Sequence, residues 1–216
     1  MSDRRFGFRQ LSDSRDHLHT MPMVLGASPK DTREVVSWEI GKILDQKSEG
    51  SCVGHGCRSL LDASPFRQAD GPSAREIYLE ARLVDEFDDD RVPSGTSVRA
   101  GLNVLKSHGL IESYVWATSV EDVLQFIAKK GPVVMGINWY SYHTLASGRV
   151  PMGGAPVGGH CVLGFGFDRT ENVVTIQNSL GYSYGIQGCG YIALADLEKE
   201  IRRGGVVAGV TERTIS

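Results

Sequence analysis

Residues 45–52 read Asp45-Gln46-Lys47-Ser48-Glu49-Gly50-Ser51-Cys52, and a helical pattern begins at the cysteine and ends before Pro65. A cysteine at the first position of a helix lies among unpaired N–H groups and partial positive charge, which stabilise a thiolate and lower the pKa of the thiol. The same N–H groups can hold an oxyanion. Gln46, six residues upstream, can direct a side-chain amide at that oxyanion. These residues predict a nucleophilic cysteine.

A cysteine nucleophile needs a base, and His160 is the best placed of the six histidines. It follows Gly158-Gly159 and opens an apolar strand pattern, so we expect it to face a cleft. Asn178 ends the strand pattern 173–178, and its amide oxygen can accept the N–H of the second ring nitrogen. His143 is the one rival base.

The order of the patterns along the chain predicts an α+β fold with a helical half and a sheet half. Helical patterns cover residues 52–63, 73–87, 97–108, 119–130 and 195–203. Strand patterns cover residues 35–38, 133–139, 161–167, 173–178, 189–194 and 206–212. Residues 1–45 otherwise look irregular, with Pro22, Gly26 and Pro29 as breakers.

Four segments in this order resemble the papain family of cysteine peptidases. They are Asp45-Gln46…Gly50-Ser51-Cys52, Gly158-Gly159-His160-Cys161-Val162-Leu163-Gly164-Phe165-Gly166-Phe167-Asp168, Gln177-Asn178-Ser179-Leu180-Gly181 and Gly188-Cys189-Gly190-Tyr191-Ile192. Residues 13–17 and the pair Pro72-Ser73…Tyr78 resemble a bacterial branch of that family. The resemblance extends from about residue 11 to about residue 203.

By this resemblance Cys52 is the nucleophile, His160 the general base and acid, Asn178 the residue that orients the imidazole, and Gln46 an oxyanion donor. The implied fold is a single papain-like domain over residues 1–216, with the active site between two lobes. We expect a helical lobe at about 40–118, a β-barrel-like lobe at about 119–212, and a segment 1–39 that wraps both. We expect this segment to wrap the lobes rather than form an inhibitory pro-segment.

The chain departs from the family pattern at several positions. Val53 stands where an aromatic residue usually follows the nucleophile, and Leu180 stands where a tryptophan usually shields the Asn–His hydrogen bond. Glu49 replaces a disulfide cysteine that is common in secreted members. Cys52 and His160 lie 108 positions apart, against roughly 130–150 in the family. The shorter spacing indicates a trimmed wall of the cleft.

Composition excludes several classes of function. The net charge of −3 offers no electrostatic footprint for nucleic acid, and no window approaches the length of a membrane span. Met1–Gly7 lacks the apolar stretch of a secretory signal, so we expect a cytoplasmic protein. The four cysteines have no zinc-ligand spacing, and the resemblance implies neither a metal nor an organic cofactor.

The predicted function is hydrolysis of peptide bonds in a peptide or protein substrate, through a Cys-His-Asn triad and a thioester acyl-enzyme. Two alternatives stay open. An amine could intercept the acyl-enzyme, which would make the protein an acyl transferase. The fold could instead be a catalytically degenerate binding module, a possibility favoured by Val53 and Leu180. Cys57, Cys161 and Cys189 are predicted to be small core residues.

Overall fold

The computed structural model of the chain describes residues 6–11, 13–27, 29–86, 95–141 and 143–211. After a 3₁₀ helix at Ser14–Leu18, the α-helices are α1 (Met21–Leu25), α2 (Cys52–Asp62), α3 (Ala74–Val84), α4 (Val98–Ser107), α5 (Val120–Lys129) and α6 (Leu194–Arg202). The strands are β1 (Val35–Ser37), β2 (Ser113–Trp116), β3 (Val133–Trp139), β4 (Gly158–Asp168), β5 (Val173–Gln177), β6 (Cys189–Ala193) and β7 (Val206–Thr211). None of the helices in these ranges is long and apolar enough to cross a membrane.

The strands form one open, antiparallel sheet of seven strands. Neighbouring strands follow the order β2-β7-β3-β4-β5-β6, and β1 pairs with β4 beyond the end of β3. β4 is the longest strand, and its register places His160 opposite Ile137 of β3. The predicted α+β class is confirmed, and the second half of the fold is this open sheet.

Helix α2 lies at the centre of the helical half. It packs against α3 and α4 and also against β3 and β4 of the sheet. Every residue from Cys52 to Leu61 is therefore buried, although the sequence pattern predicts only one apolar face. The helix begins at Cys52, as predicted, and the preceding residue Ser51 does not cap it with its side chain.

The sheet half has a hydrophobic core of its own between the strands and α5. Phe126 and Ile127 of α5 are fully buried there, together with Met135 and Trp139 of β3. Helix α5 begins with a capping box, in which the Ser119 hydroxyl and the Asp122 carboxylate each accept a backbone N–H of the other residue. This cap fixes the start of α5 at the predicted position.

Two elements differ from the sequence-based expectations. Helix α1 lies in a segment that the sequence predicts to be irregular. It contains Pro22 in its first turn, where proline is tolerated because the backbone N–H groups of that turn have no partner within the helix. Strand β2 was not predicted, because it owes its conformation to pairing with β7, almost a hundred residues later in the chain. The predicted ends of α3 at residue 87 and of β7 at residue 212 lie outside the described residues.

Candidate active site

Cys52 begins the buried helix α2, and its side chain is 0% exposed. Burial raises the pKa of the Cys52 thiol to about 11, and hydrogen bonds from the backbone amides of Gly7, Cys161 and Val53 oppose this rise only in part. The thiol is therefore protonated in this structure. The helix N–H groups lower the pKa, as expected, but removal from water outweighs them, so the net shift is upward.

His160 and Asn178 are hydrogen-bonded to each other as the sequence predicts. The distance from His160 Nε2 to Asn178 Oδ1 is 2.8 Å, and both side chains are buried. Burial lowers the pKa of His160 to about 4, although the bond to Asn178 acts in the opposite direction. The imidazole is therefore neutral at pH 7. Its other nitrogen, Nδ1, is buried without a hydrogen-bond partner.

The strand that carries His160 meets the helix that carries Cys52. The backbone amide of Cys161, the residue after His160, hydrogen-bonds to the Cys52 thiol. One turn into α2, a Cβ on Gly56 would come within 2.8 Å of Cys161 Sγ, so the absence of a side chain lets helix and strand approach closely. The strand of the predicted base therefore contacts the helix of the predicted nucleophile, although the two residues are far apart in the sequence.

Apolar residues enclose the His160–Asn178 hydrogen bond. The ring of Trp139 meets the His160 imidazole edge-on, and the centroids of these two rings are 4.9 Å apart. The centroid of the Phe6 ring is 4.7 Å from the centroid of the imidazole. Leu180, which replaces the tryptophan usual in the family, is 2% exposed. A leucine is smaller than the usual tryptophan and would shield the Asn–His hydrogen bond from water less fully. The rings of Trp139 and Phe6 also cover this hydrogen bond, so it is kept from water.

Gln46 is joined to Asn178 through Ser179. The Ser179 hydroxyl donates to Gln46 Oε1 at 2.6 Å, and the Ser179 backbone N–H donates to Asn178 Oδ1 at 2.7 Å. The Gln46 side-chain N–H donates to the Glu49 carbonyl oxygen at 2.9 Å. A continuous hydrogen-bonded chain therefore runs from the segment before α2 to the imidazole. The role of Ser179 in this chain is not predicted from the sequence.

Residues 6–8 cover the site. The sequence does not predict this cover. Phe6 packs on the ring of His160, the amide of Gly7 reaches the Cys52 thiol, and the Phe8 N–H donates to the Gly159 carbonyl at 2.9 Å. As a result Cys52 and His160 are both 0% exposed. The one signal in the sequence was a pair of phenylalanines flanking a glycine in an otherwise polar segment.

The remaining cysteines and histidines have ordinary surroundings. Cys57 and Cys161 are buried core residues, as predicted, whereas Cys189 is half-buried. The rival base His143 is exposed. His55 is buried, and its Nδ1 lies 2.9 Å from the carbonyl oxygen of Ser51, the residue before α2. Within the described ranges, no group of three or more His, Cys, Asp and Glu side chains is arranged to hold a metal ion.

Comparison with known proteins relates the fold of this chain to known folds. No protein-family model matches the chain. A curated sequence, an uncharacterised peptidase C1-like protein of Acanthamoeba polyphaga mimivirus, is 20% identical over 194 residues, covering 67% of this chain. The chain spans only 62% of the length of that relative.

The solved structures that resemble the chain are more informative about its fold. Xylellain, a cysteine protease from Xylella fastidiosa, superposes with a TM-score of 0.70 over 97% of both chains, at 16% identity. Procathepsin L2 from the larval midgut of Tenebrio molitor has a TM-score of 0.64 at 17% identity, covering 97% of this chain and 78% of that one. Bromelain from Ananas comosus, in complex with the E64 inhibitor, has a TM-score of 0.61 at 12% identity, covering 84% of this chain and 100% of that one. The chain therefore has the fold of the papain-like cysteine proteases.

Proposed function

We propose that this protein is a cysteine peptidase that hydrolyses peptide bonds with Cys52, His160, Asn178 and Gln46. The observation that carries the proposal is the 2.8 Å hydrogen bond between His160 and Asn178, held away from water on the strand whose next residue, Cys161, hydrogen-bonds through its backbone amide to the Cys52 thiol. The structural likeness to papain-like proteases supports a hydrolase with a peptide or protein substrate. An imidazole oriented in this way can accept a thiol proton at its other nitrogen.

The first half of the reaction forms a thioester. The Cys52 proton moves to Nδ1 of His160, and the sulfur bonds to the carbonyl carbon of the substrate while the carbonyl oxygen becomes an oxyanion. The Cys52 backbone N–H and the Gln46 side-chain amide stabilise that charge. When the carbon–nitrogen bond breaks, Nδ1 returns its proton to the leaving amine.

The second half releases the carboxylic acid. Water gives a proton to His160 Nδ1 and attacks the thioester carbon, and the thiolate then leaves and recovers the proton. Asn178 holds the imidazole orientation through both halves, because Nε2 keeps its hydrogen bond while Nδ1 gains and loses a proton. Ser179 supports the same geometry by joining Asn178 to Gln46.

The departures from the family pattern leave these contacts in place. Val53 is fully buried in the core of the helical half, and Leu180 is buried beside the sheet. Neither replacement opens the His160–Asn178 hydrogen bond to solvent. They therefore give less support to the degenerate binding module than the sequence alone suggested.

Selective labelling of Cys52 tests the proposal. The purified chain is incubated for hours with a thiol-directed epoxide probe, and the modified cysteine is mapped by mass spectrometry. We expect an adduct on Cys52 that is lost in His160→Ala. Cleavage of an unfolded protein substrate, followed in parallel, should disappear in Cys52→Ala and persist in Cys57→Ala. Cys57 is the matched control because it is equally buried in the same helix.

The alternatives give different results in the same experiment. Uniform labelling of the four cysteines, or none, together with no cleavage by any variant, favours the binding module. Transfer of the acyl group to an added amine in preference to water identifies an acyl transferase. Peptide cleavage by Cys52→Ala at the wild-type rate would rule out the assigned nucleophile.

A further inference from the structure

The last three residues of β3 extend beyond the strand that pairs with one of its edges. Strand β7 pairs with residues 133–136 of β3. On the other edge, β4 continues to pair with residues 137–139, and His160 lies opposite Ile137. The stretch 137–139 therefore has β4 on one edge and, among the described residues, no strand on the other.

The side chain of Glu200 occupies this open edge. Glu200 lies in α6 and is 2% exposed, and its Oε2 accepts the backbone N–H of Asn138 at 3.2 Å and the side-chain N–H of Asn138 at 3.0 Å. Its Oε1 accepts the hydroxyl of Tyr140 at 2.6 Å. Burial and this hydrogen bond raise the pKa of Tyr140, so the hydroxyl stays a donor at neutral pH. One carboxylate thus binds both residues that flank Trp139 in the sequence.

A buried carboxylate is costly unless its oxygens are satisfied. Arg203 lies three residues later, with Nη1 3.6 Å from Glu200 Oε1, but its side chain is 62% exposed, so solvent screens this ion pair. The hydrogen bonds from Asn138 and Tyr140 therefore compensate most of the lost hydration. The backbone of Glu200 is fixed as well, since its carbonyl accepts the Gly205 N–H at 2.8 Å. Glu200 is thus a firm anchor for the end of β3.

Trp139 connects this anchor to the active site. Its side chain is fully buried, and its ring meets the His160 imidazole edge-on with centroids 4.9 Å apart. Within the described ranges, Trp139 Nε1 has no hydrogen-bond partner, so packing and the backbone alone place the indole. That backbone is bonded to the loop before β4, because the Trp139 carbonyl accepts the Val157 N–H at 2.7 Å. A shift of the end of β3 would therefore move the indole against the imidazole.

We propose that Glu200 is a positioning residue of the active site, which fixes the end of β3 so that Trp139 holds the His160 imidazole in its reactive orientation. This inference rests on the proposed function, since Glu200 acts on the reaction only through His160. Asn178 holds one ring nitrogen by a hydrogen bond, and Trp139 restrains the plane of the ring. Loss of the carboxylate should therefore slow the chemical step and leave substrate binding nearly unchanged.

Steady-state kinetics of peptide cleavage test this role. Glu200→Ala should lower kcat by about 10–100-fold while KM stays within about twofold, because a misplaced base costs rate rather than binding. Glu200→Gln should restore most of the wild-type kcat, because its amide oxygen can accept the Asn138 N–H groups and its amide N–H can donate to the Tyr140 oxygen. Glu200→Met replaces the alanine variant if that variant does not fold, because methionine fills the space without the carboxylate.

Glu198→Ala is the matched control. Glu198 lies in the same helix, and its carboxylate also accepts a backbone N–H, that of Val120 at 2.7 Å. This contact is made to α5 rather than to β3. The control therefore removes a hydrogen bond of the same kind, and its kcat should equal that of the wild type.

The NMR signals of the His160 ring protons report on the same geometry without any activity. An indole ring shifts the resonances of protons beside it, so these signals depend on where Trp139 lies. They are identified by their absence from the spectrum of His160→Gln. In Glu200→Ala they should move from their wild-type positions, and in Glu200→Gln and Glu198→Ala they should not.

The two measurements distinguish failure of the inference from failure of the proposed function. A wild-type kcat in Glu200→Ala, an equal fall of kcat in Glu198→Ala, or a fall with unmoved ring-proton signals would overturn the inference. Moved signals in a protein that cleaves no peptide would refute the peptidase and leave the effect of Glu200 on His160 established. Moved signals and a reduced kcat in Glu200→Ala, both reversed in Glu200→Gln, support the inference and the peptidase together.

Discussion

Replacing His160 with glutamine should remove part of the acid sensitivity of the fold. Burial lowers the pKa of His160 from 6.5 to about 4, so the folded protein excludes a proton that the unfolded chain binds. The unfolded state therefore holds more protons between these two pKa values. It follows that the free energy of unfolding falls as the pH decreases from neutrality towards 4.

The magnitude follows from the two pKa values. Between about pH 7.5 and about pH 5, the unfolded chain becomes protonated at this position while the folded chain stays mostly neutral. The corresponding loss of stability is about 2 kcal/mol. His55 adds to the acid sensitivity, because burial lowers its pKa as well. A comparison between variants therefore isolates the share that belongs to His160.

Urea unfolding followed by tryptophan fluorescence at these two pH values measures the effect. His160→Gln should lose about 2 kcal/mol less than the wild type on acidification, whatever its absolute stability. His143→Gln is the matched control, because it replaces an exposed histidine, and its loss should equal that of the wild type. An equal loss in His160→Gln and wild type would refute the buried, neutral imidazole and with it the dry site described above.

Substitutions at four residues probe the same site. Asn178→Ala removes the acceptor for both His160 Nε2 and the Ser179 N–H, so urea unfolding should show a loss of about 1–3 kcal/mol, and a stability equal to wild type would contradict the buried network. Gln46→Ala should lower kcat/KM for peptide cleavage by about 10²–10³ if its amide holds the oxyanion, whereas an unchanged value would remove it from that role. Leu180→Ala should lower the free energy of unfolding by about 2–5 kcal/mol, because it removes a buried side chain. Leu180→Met should lower it by less than about 1.5 kcal/mol. Equal effects of the two substitutions would mean that the position is not tightly packed. Burial raises the pKa of Cys52 from 9.0 to about 11. Between about pH 8 and about pH 10, the free energy of unfolding should therefore fall by about 1.4 kcal/mol more in the wild type than in Cys52→Ala. Identical alkaline unfolding curves would place the thiol in water.

The sequence predicts the parts of the site that have local signals. A glycine and a serine before Cys52 mark the start of α2, and the Gly158-Gly159 pair marks the start of the strand that carries His160. The hydrogen bond between His160 and Asn178 was also expected, although it joins a residue of β4 to the residue that follows β5. These features depend on turn and helix signals within a few residues of each chemical group.

Features that depend on distant contacts were not predictable in this way. Strand β2 takes its conformation from β7, and residues 7–9 reach the site through backbone pairing with Thr96 and Gly159. The direction of the Cys52 pKa shift also depends on contacts with residues that are distant in the sequence. The N–H groups of a helix N-terminus are local and were foreseen, but the approach of Gly7 and Cys161 from distant parts of the chain, and the removal of water from the sulfur, were not.

Residues 6 and 7 link the hydration of two buried side chains, those of Cys52 and His160. Phe6 shields the imidazole and Gly7 shields the sulfur, so a single displacement hydrates both groups. Hydration stabilises the charged forms that burial now disfavours, which are the thiolate and the imidazolium. A movement of this short segment would therefore change the hydration, and with it the protonation, of the sulfur and of the imidazole together.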